Sequence, residues 1–231
     1  MTPDACNEHG LNRNAWLMLR PLGTPLPLGL LALCAATTGA STVQLGWVPA
    51  QQATTIGLIL LAFAAPLQLL SAIFGFLARD PVAGTGMAFL AGTWAVLGLS
   101  WHLSPAAAAT LSPAVGVLLV VAAAGILVPT AASIPGKATL TTVMVAAAAR
   151  LALTGAYEFG AGPWAKTAGG WVGIATAALA WYAALAFELE GVHHRQVLPT
   201  FRLGPAKNTM SETFAAEADG ALHDAGVRKT L

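Results

Sequence analysis

Residues 55–77 read TIGLILLAFAAPLQLLSAIFGFL, a stretch of 23 residues that contains no charged side chain. A helix needs about 20 predominantly apolar residues to cross the hydrocarbon core of a bilayer. Shorter apolar runs suffice for the buried helices of soluble proteins. The stretch therefore predicts a transmembrane helix.

Five further apolar runs of similar length surround this stretch. Proline, glycine and polar residues separate the runs, as is typical of loops between helices. Alanine, glycine and leucine dominate, and the alternating pattern of membrane barrel strands is absent. The sequence predicts an all-α polytopic membrane protein, a bundle of six transmembrane helices. The spans are expected near Pro25–Trp47, Thr55–Leu77, Val82–His102, Ala114–Ser133, Ala138–Tyr157 and Thr167–Leu189.

Charged residues are scarce and unevenly distributed. They make up 9% of the chain, whose mean hydropathy is +0.69, whereas soluble domains carry about 25%. Between residues 24 and 189 the charged residues are Arg79, Asp80, Lys137, Arg150, Glu158, Lys166 and Glu188. We expect an N-terminal cytoplasmic tail at 1–23, a transmembrane domain at 24–190 and a polar cytoplasmic tail at 191–231. The net charge of +1 gives no argument for a nucleic-acid partner.

Basic residues predict the orientation, because Lys and Arg accumulate on the cytoplasmic side of membrane proteins. Lys166 alone lies near one predicted face of the membrane. Seven basic residues lie near the opposite face: Arg13, Arg20, Arg79, Lys137, Arg195, Arg202 and Lys207. We therefore expect a multi-pass protein of a bacterial-type inner (plasma) membrane with both termini in the cytoplasm. An interfacial aromatic belt is expected at the outer face from Trp47, Trp101, Trp164 and Trp171.

Two spans carry small residues at every fourth position, a spacing that lets helix backbones approach closely. The ladders are Gly84, Ala88 and Gly92 in the third span, and Gly169, Gly173 and Ala177 in the sixth. They predict tight helix packing. The pattern leaves open whether the contact lies within one subunit or between subunits.

Arg150 is the most informative polar residue, since it lies in the fifth span between a run of alanines and a leucine. A charge at membrane depth is costly unless it pairs, lines a wet path or reaches an interface. We interpret Arg150 as a contact for a carboxylate. Two alternatives stay open, an ion pair with a buried carboxylate such as Glu158 and snorkelling towards the outer interface.

Two further features place polar groups within the membrane. Gln68 follows Pro66 in the second span, and a proline inside a helix frees a carbonyl one turn earlier and kinks the helix. Gln68 is expected either to line a path or to bond a neighbouring helix. The first span opens with Pro25–Gly29, a helix N-terminus whose free N–H groups suit an anion.

No enzyme motif is present. The sequence contains no HExxH, GxSxG or P-loop pattern. His193 and His194 are adjacent, so one regular helix cannot direct both towards a single ligand. We expect no enzymatic activity, no catalytic residue, no cofactor and no metal site.

Thr24–Leu30 reads TPLPLGL and resembles NPAPLGL, the signature that begins the first helix of the acetate uptake transporter family, the YaaH-type acetate–succinate permeases. Thr24 replaces Asn and Leu26 replaces Ala. The similarity runs from about Pro21 to Pro199. It includes Thr37-Thr38, Gln68, Phe89, Trp181-Tyr182 and Val197-Leu198-Pro199.

The resemblance implies a protomer with its own narrow pore, assembled as a hexameric ring, that passes acetate or succinate as a channel or together with a proton. Leu33 and Gly92 stand where the family has the aromatic residues of its constriction, and Arg150 replaces an apolar residue. These departures would favour a larger or dianionic acid. The expected substrate path comprises Pro25, Leu26, Pro27, Leu28, Gly29, Leu33, Gln68, Gly92 and Arg150.

The expected partners are a small organic anion, with or without a proton, the lipid bilayer and further copies of the chain. A second hypothesis is a non-transporting membrane sensor or assembly subunit that acts through its cytoplasmic tail. Uptake of labelled acetate by liposomes containing the purified protein separates the two.

Overall fold

The computed structural model describes residues 23–104, 110–193 and 195–203, which form six long helices joined by short loops. Each helix is long and apolar enough to cross a membrane. They are α1 (Leu26–Gln44), α2 (Ala50–Leu77), α3 (Pro81–Leu103), α4 (Pro113–Ser133), α5 (Ala138–Glu158) and α6 (Pro163–His193). The all-α prediction with six spans is confirmed. The predicted N-terminal tail and the polar segment after residue 203 lie outside the described residues.

The helix boundaries follow from local chemistry. Pro81 and Pro113 are the first residues of α3 and α4, where a missing backbone N–H costs nothing. Just before α3, the Asp80 carboxylate accepts a hydrogen bond from the Ala83 backbone N–H at 2.9 Å. Ser112 caps α4 in the same way. Because these signals are local, the predicted and observed spans agree to within a few residues at most ends.

Helix α2 contains one wide turn where the sequence predicts a kink. Leu60–Ala64 form a π-helical turn in which the Ala65 N–H bonds the Leu60 carbonyl, five residues earlier. The next residue, Pro66, has no N–H to donate. The wide turn accommodates this missing donor, and single π-turns inside α-helices occur often at functional sites.

The helices form a closed ring in chain order. Each helix packs against the next, and α6 returns to pack against α1. Successive helices run antiparallel. For example, the end of α2 lies against the start of α3 at Gly75 and Gly84, and the end of α5 lies against the start of α6 at Thr154 and Gly169. Helices α1, α3 and α5 therefore begin at one end of the bundle, which we call the amino-terminal end. The opposite end is called the far end.

The outer surface of the ring is apolar, as lipid surroundings require. Large hydrophobic side chains are exposed on every helix, for example Leu31, Phe63, Val96, Val128, Val145 and Trp181. The described charged side chains lie close to helix ends, with Arg150 as the exception. The exposed area is consistent with contacts to lipid or to further subunits.

The two small-residue ladders differ in what they contact. Gly169 and Gly173 of α6 are buried against α5 and α1, so this ladder packs within the protomer. In α3, Gly84 lies against the Phe76 ring of α2. Gly92 faces outward, and a Cβ added there would meet nothing within 4 Å. Within the protomer, the predicted tight contact at Gly92 is therefore wrong.

Besides the approach at Gly75 and Gly84, the backbones of α2 and α3 come close together at Gly57 and Gly98. A Cβ on Gly57 would lie 2.6 Å from the Gly98 carbonyl oxygen, and a Cβ on Gly98 would lie 2.6 Å from that of Gly57. We expect Gly98→Ala to lower the thermal unfolding midpoint in detergent, because overpacking typically costs about 1–3 kcal/mol. Gly92→Ala is the matched control. Equal midpoints for the two variants would contradict the contact.

The tryptophans at the far end only partly form the predicted belt. Trp47, Trp164 and Trp171 are exposed, and the rings of Trp47 and Trp171 pack edge to face with centroids 5.6 Å apart. Trp101 is only 7% exposed, and its Cβ lies beside Gly57 of α2. The prediction that Trp101 belongs to the exposed belt is wrong.

Residues 195–203, the first part of the predicted polar tail, fold back onto the amino-terminal end of the bundle. The Tyr182 hydroxyl donates to the Pro199 carbonyl at 2.9 Å, and the Ala138 N–H donates to the Phe201 carbonyl at 3.0 Å. The Glu190 carboxylate contacts both Lys137 and Arg202. The chain after α6 is thereby fastened to the start of α5.

Candidate functional site

The centre of the ring holds a narrow apolar cavity in the amino-terminal half of the bundle. Helices α1, α3 and α5 supply nearly all of its lining. Its volume is about 10 Å³, which is space for about one water molecule. An apolar constriction of this kind can block a pore by dewetting. The lining includes Leu26, Leu30, Leu33, Leu90, Ile126 and Met144.

Leu33 lies where the sequence places a constriction. Its side chain is 2% exposed and lines the cavity from α1. Gly92 does not lie there, because it faces the outside of the bundle. The inward positions of that part of α3 are Leu90 and Trp94. The expectation that Gly92 shapes the constriction is therefore corrected.

The opening segment of α1 does not present all its residues to the cavity, because five consecutive helical residues point in all directions. Leu26 lines the cavity. Pro27 lies instead at a groove on the outer surface beside Trp181, and Leu28 is half-buried. The structure does not bring Pro27 to the path.

Gln68 lies against the same opening segment. Its amide nitrogen is 3.4 Å from the Gly29 carbonyl and 3.8 Å from the Met87 sulfur, which borders the cavity. Nearby, the Ser71 hydroxyl donates to the Pro25 carbonyl at 2.7 Å. The Gln68 carbonyl oxygen is buried and has no partner among the described residues. Gln68 thus bonds a neighbouring helix and also leaves one acceptor unused.

Arg150 is buried to 2% exposure, so the snorkelling interpretation is wrong. Its Nε and Nη2 atoms have no hydrogen-bond partner in the described part of the chain. The nearby carboxylate considered as a partner, Glu158, instead accepts a hydrogen bond from the Ser112 backbone N–H at 2.7 Å. Among the described residues, the Arg150 guanidinium therefore has no ion pair with a carboxylate, and the ion-pair interpretation is wrong as well.

Three helices surround the Arg150 side chain. The Cζ atom of Arg150 lies 5.1 Å from the centroid of the Trp94 ring of α3, a cation–π contact. Gly173 of α6 leaves room for the side chain, since a Cβ there would be 2.6 Å from the Arg150 Nε. The same Cβ would collide with the hydroxyl of Ser41 from α1. Ser41 and Arg150 therefore meet at one glycine.

A polar chain continues from this point towards the far end. The Gln44 amide nitrogen donates to the Thr154 hydroxyl at 3.1 Å, and that hydroxyl donates to the Arg150 carbonyl at 2.9 Å. Sequence reasoning did not identify Ser41, Gln44, Trp94 or Thr154 as site residues. A signal was present, because Thr37, Ser41 and Gln44 recur at spacings of four and three and share one face of α1.

Comparisons with known proteins agree with this architecture. The family model described as the GPR1/FUN34/yaaH family matches residues 12–203. A solved structure of the bacterial acetate channel SatP superposes with a TM-score of 0.69 at 20% sequence identity. The match covers 78% of this chain and 99% of that chain, and it shows a shared fold. No curated protein matches the chain in sequence.

Proposed function

Because this chain belongs to the GPR1/FUN34/YaaH family, we propose that it transports a small carboxylate, such as acetate or succinate, across a membrane. The observation that carries the proposal is the match of the family model over residues 12–203. The six-helix ring and its resemblance in fold to the acetate channel SatP support it. Transport proceeds either through a channel or together with a proton.

The proposed path follows the centre of the ring. The cavity around Leu26 and Leu33 forms the narrow apolar section, and Gln68 lies beside it. Arg150 lies one turn beyond the cavity on α5, since Ala147 lines the cavity and is three residues earlier. The guanidinium would attract the anion, and the apolar section would control its passage.

The test is uptake of labelled acetate by liposomes that contain the purified full-length protein. Uptake above that of protein-free liposomes, and competition by unlabelled acetate, are expected. A folded protein without uptake of acetate, succinate or related acids would contradict transport and favour a sensor or assembly subunit. Repeating the measurement with a pH gradient distinguishes a channel from proton-coupled uptake.

We also propose the orientation that the basic residues predict, with both termini in the cytoplasm. Arg79, Lys137 and Arg202 lie at the amino-terminal end of the ring, and Lys166 lies at the far end. A reporter fused at residue 231 should therefore report cytoplasm, and one fused at Pro105 should report the exterior. Both reporters on the same side of the membrane would contradict this topology.

The assembly proposed from the family resemblance is a ring of six copies. The exposed apolar surface, including the groove beside Pro27 and Trp181, is available for such contacts. Chemical cross-linking in native membranes should give species of up to six copies. A purely monomeric pattern would contradict the proposed oligomer.

A further inference from the structure

Arg150 is the centre of a cluster of unused hydrogen-bond donors. Its Nε and Nη2 atoms, the indole Nε1 of Trp94 and the hydroxyl of Ser41 are all buried without a partner in the described part of the chain. The three side chains are at most 2% exposed. Buried polar groups normally find partners, and an unpaired buried charge is especially costly. A cluster of this kind offers several hydrogen-bond donors to an anion.

The donors match the chemistry of one carboxylate group. Nε and Nη2 form one edge of the guanidinium fork, which binds two carboxylate oxygens side by side. The Trp94 N–H and the Ser41 hydroxyl supply two more donors. An ionised carboxylate has about four lone-pair sites for such bonds. These four donor atoms are therefore enough to satisfy one carboxylate.

The cluster also lies next to the central cavity. Ser41, Trp94 and Arg150 come from α1, α3 and α5, the helices that line the apolar cavity. Leu90 lines the cavity one turn before Trp94 on the same face of α3. The donors are thus stacked directly beyond the cavity towards the far end.

We propose that Ser41, Trp94 and Arg150 form a binding site for one ionised carboxylate group and that this site restricts transport to short monocarboxylates. The proposal rests on the proposed carboxylate transport. Because the donor side chains are buried, an anion reaches them only when the surrounding helices move apart. Gly173 keeps the necessary space between Ser41 and Arg150.

The surroundings of the cluster do not favour a second carboxylate. On one side lies the apolar cavity, which suits an alkyl tail and offers no donor to an anion. One turn along α1, on the other side of Ser41, the buried carbonyl oxygen of Gln44 has no partner among the described residues. The amide nitrogen of Gln44 already donates to Thr154. A dicarboxylate would therefore place its second charge among alkyl groups or beside an acceptor, and both arrangements are unfavourable. The proposal therefore differs from the sequence-based expectation of a larger or dianionic acid.

The test combines binding and transport on the full-length protein. Calorimetric titration in detergent with sodium acetate, propionate and succinate is compared with uptake of the same labelled acids by liposomes. We expect acetate and propionate to bind at least about tenfold more tightly than succinate. Ser41→Ala and Trp94→Phe should each weaken acetate binding about tenfold, because each removes one donor to a charged group. Thr142→Ala and Trp171→Phe are matched controls at exposed positions.

Equal affinity for acetate and succinate, or unchanged acetate affinity in a folded Ser41→Ala protein, would overturn the proposal. Thermal unfolding of each variant shows whether it is folded. If Trp94→Phe does not fold, the acetate affinity of Ser41→Ala alone decides the test. Selective acetate binding without uptake would support the site and contradict the proposed transport. Uptake of succinate as fast as acetate would support carboxylate transport and overturn the selectivity.

Discussion

Replacing Arg150 with glutamine is expected to remove most carboxylate uptake while the protein remains folded and assembled. The guanidinium is buried and carries no ion pair to the described residues. A hydrogen bond to a charged group contributes about 1.5–3 kcal/mol. Losing one such bond should therefore weaken anion binding by about ten- to 140-fold. Uptake of labelled acetate by liposomes measures the effect.

Arg150→Lys should have an intermediate effect. The positive charge remains, but the planar fork that holds two carboxylate oxygens is lost. Partial uptake with a raised apparent KM is expected. Uptake by Arg150→Lys equal to that of Arg150→Gln would show that geometry outweighs charge at this position.

Stability measurements separate a binding role of Arg150 from a structural one. Breaking a buried ion pair typically costs about 3–5 kcal/mol, whereas neutralising an unpaired buried cation removes an unfavourable charge. We therefore expect Arg150→Gln to keep or raise the thermal unfolding midpoint. Lys166→Gln, which removes a positive charge near the start of α6, is the control and should keep full uptake. Normal uptake with normal assembly in Arg150→Gln would end the proposed anion contact.

Replacing Leu33 with alanine is expected to increase uptake and to reduce discrimination between small acids. Leu33 lines the narrow cavity at the centre of the ring. Removing most of its side chain widens an apolar section that has room for about one water molecule. A wider section is wetted more easily and presents a lower barrier to an ion. Initial rates of uptake for acetate and butyrate measure both effects.

Leu31→Ala provides the matched control for Leu33→Ala. Leu31 lies two residues earlier on the same helix and is 47% exposed on the outer surface. Its truncation should leave uptake unchanged. Leu33→Ala also removes buried contacts, and in protein cores such a change lowers the free energy of unfolding by about 2–5 kcal/mol. A lower unfolding midpoint with unchanged uptake in Leu33→Ala would place the constriction elsewhere.

Anion binding by Arg150 and the limit on passage set by Leu33 act in different parts of the proposed path. Arg150 provides affinity in the middle of the bundle, and the apolar section around Leu33 limits passage. Efficient conduction needs binding that is favourable but weak enough for release. A single carboxylate held by a few donors next to an apolar section meets that requirement better than a fully paired buried ion.

The sequence by itself determined the number, length and limits of the helices. The free-energy cost of placing polar backbone or charges in lipid fixes the length of each apolar run. Capping signals such as Asp80-Pro81 act within one helical turn. The sequence also identified Arg150 as unusual, because a charge in an apolar run is conspicuous without any knowledge of its neighbours.

Only the tertiary structure decided which face of each helix turns inward. Gly92 and Gly98 are six residues apart in one apolar helix, yet only Gly98 meets another backbone. A helix that is apolar all round gives no periodic signal for its orientation, because lipid and the bundle interior are equally apolar. For the same reason, only the folded ring, which brings α1, α3 and α5 together, shows that Ser41 and Trp94 are neighbours of Arg150.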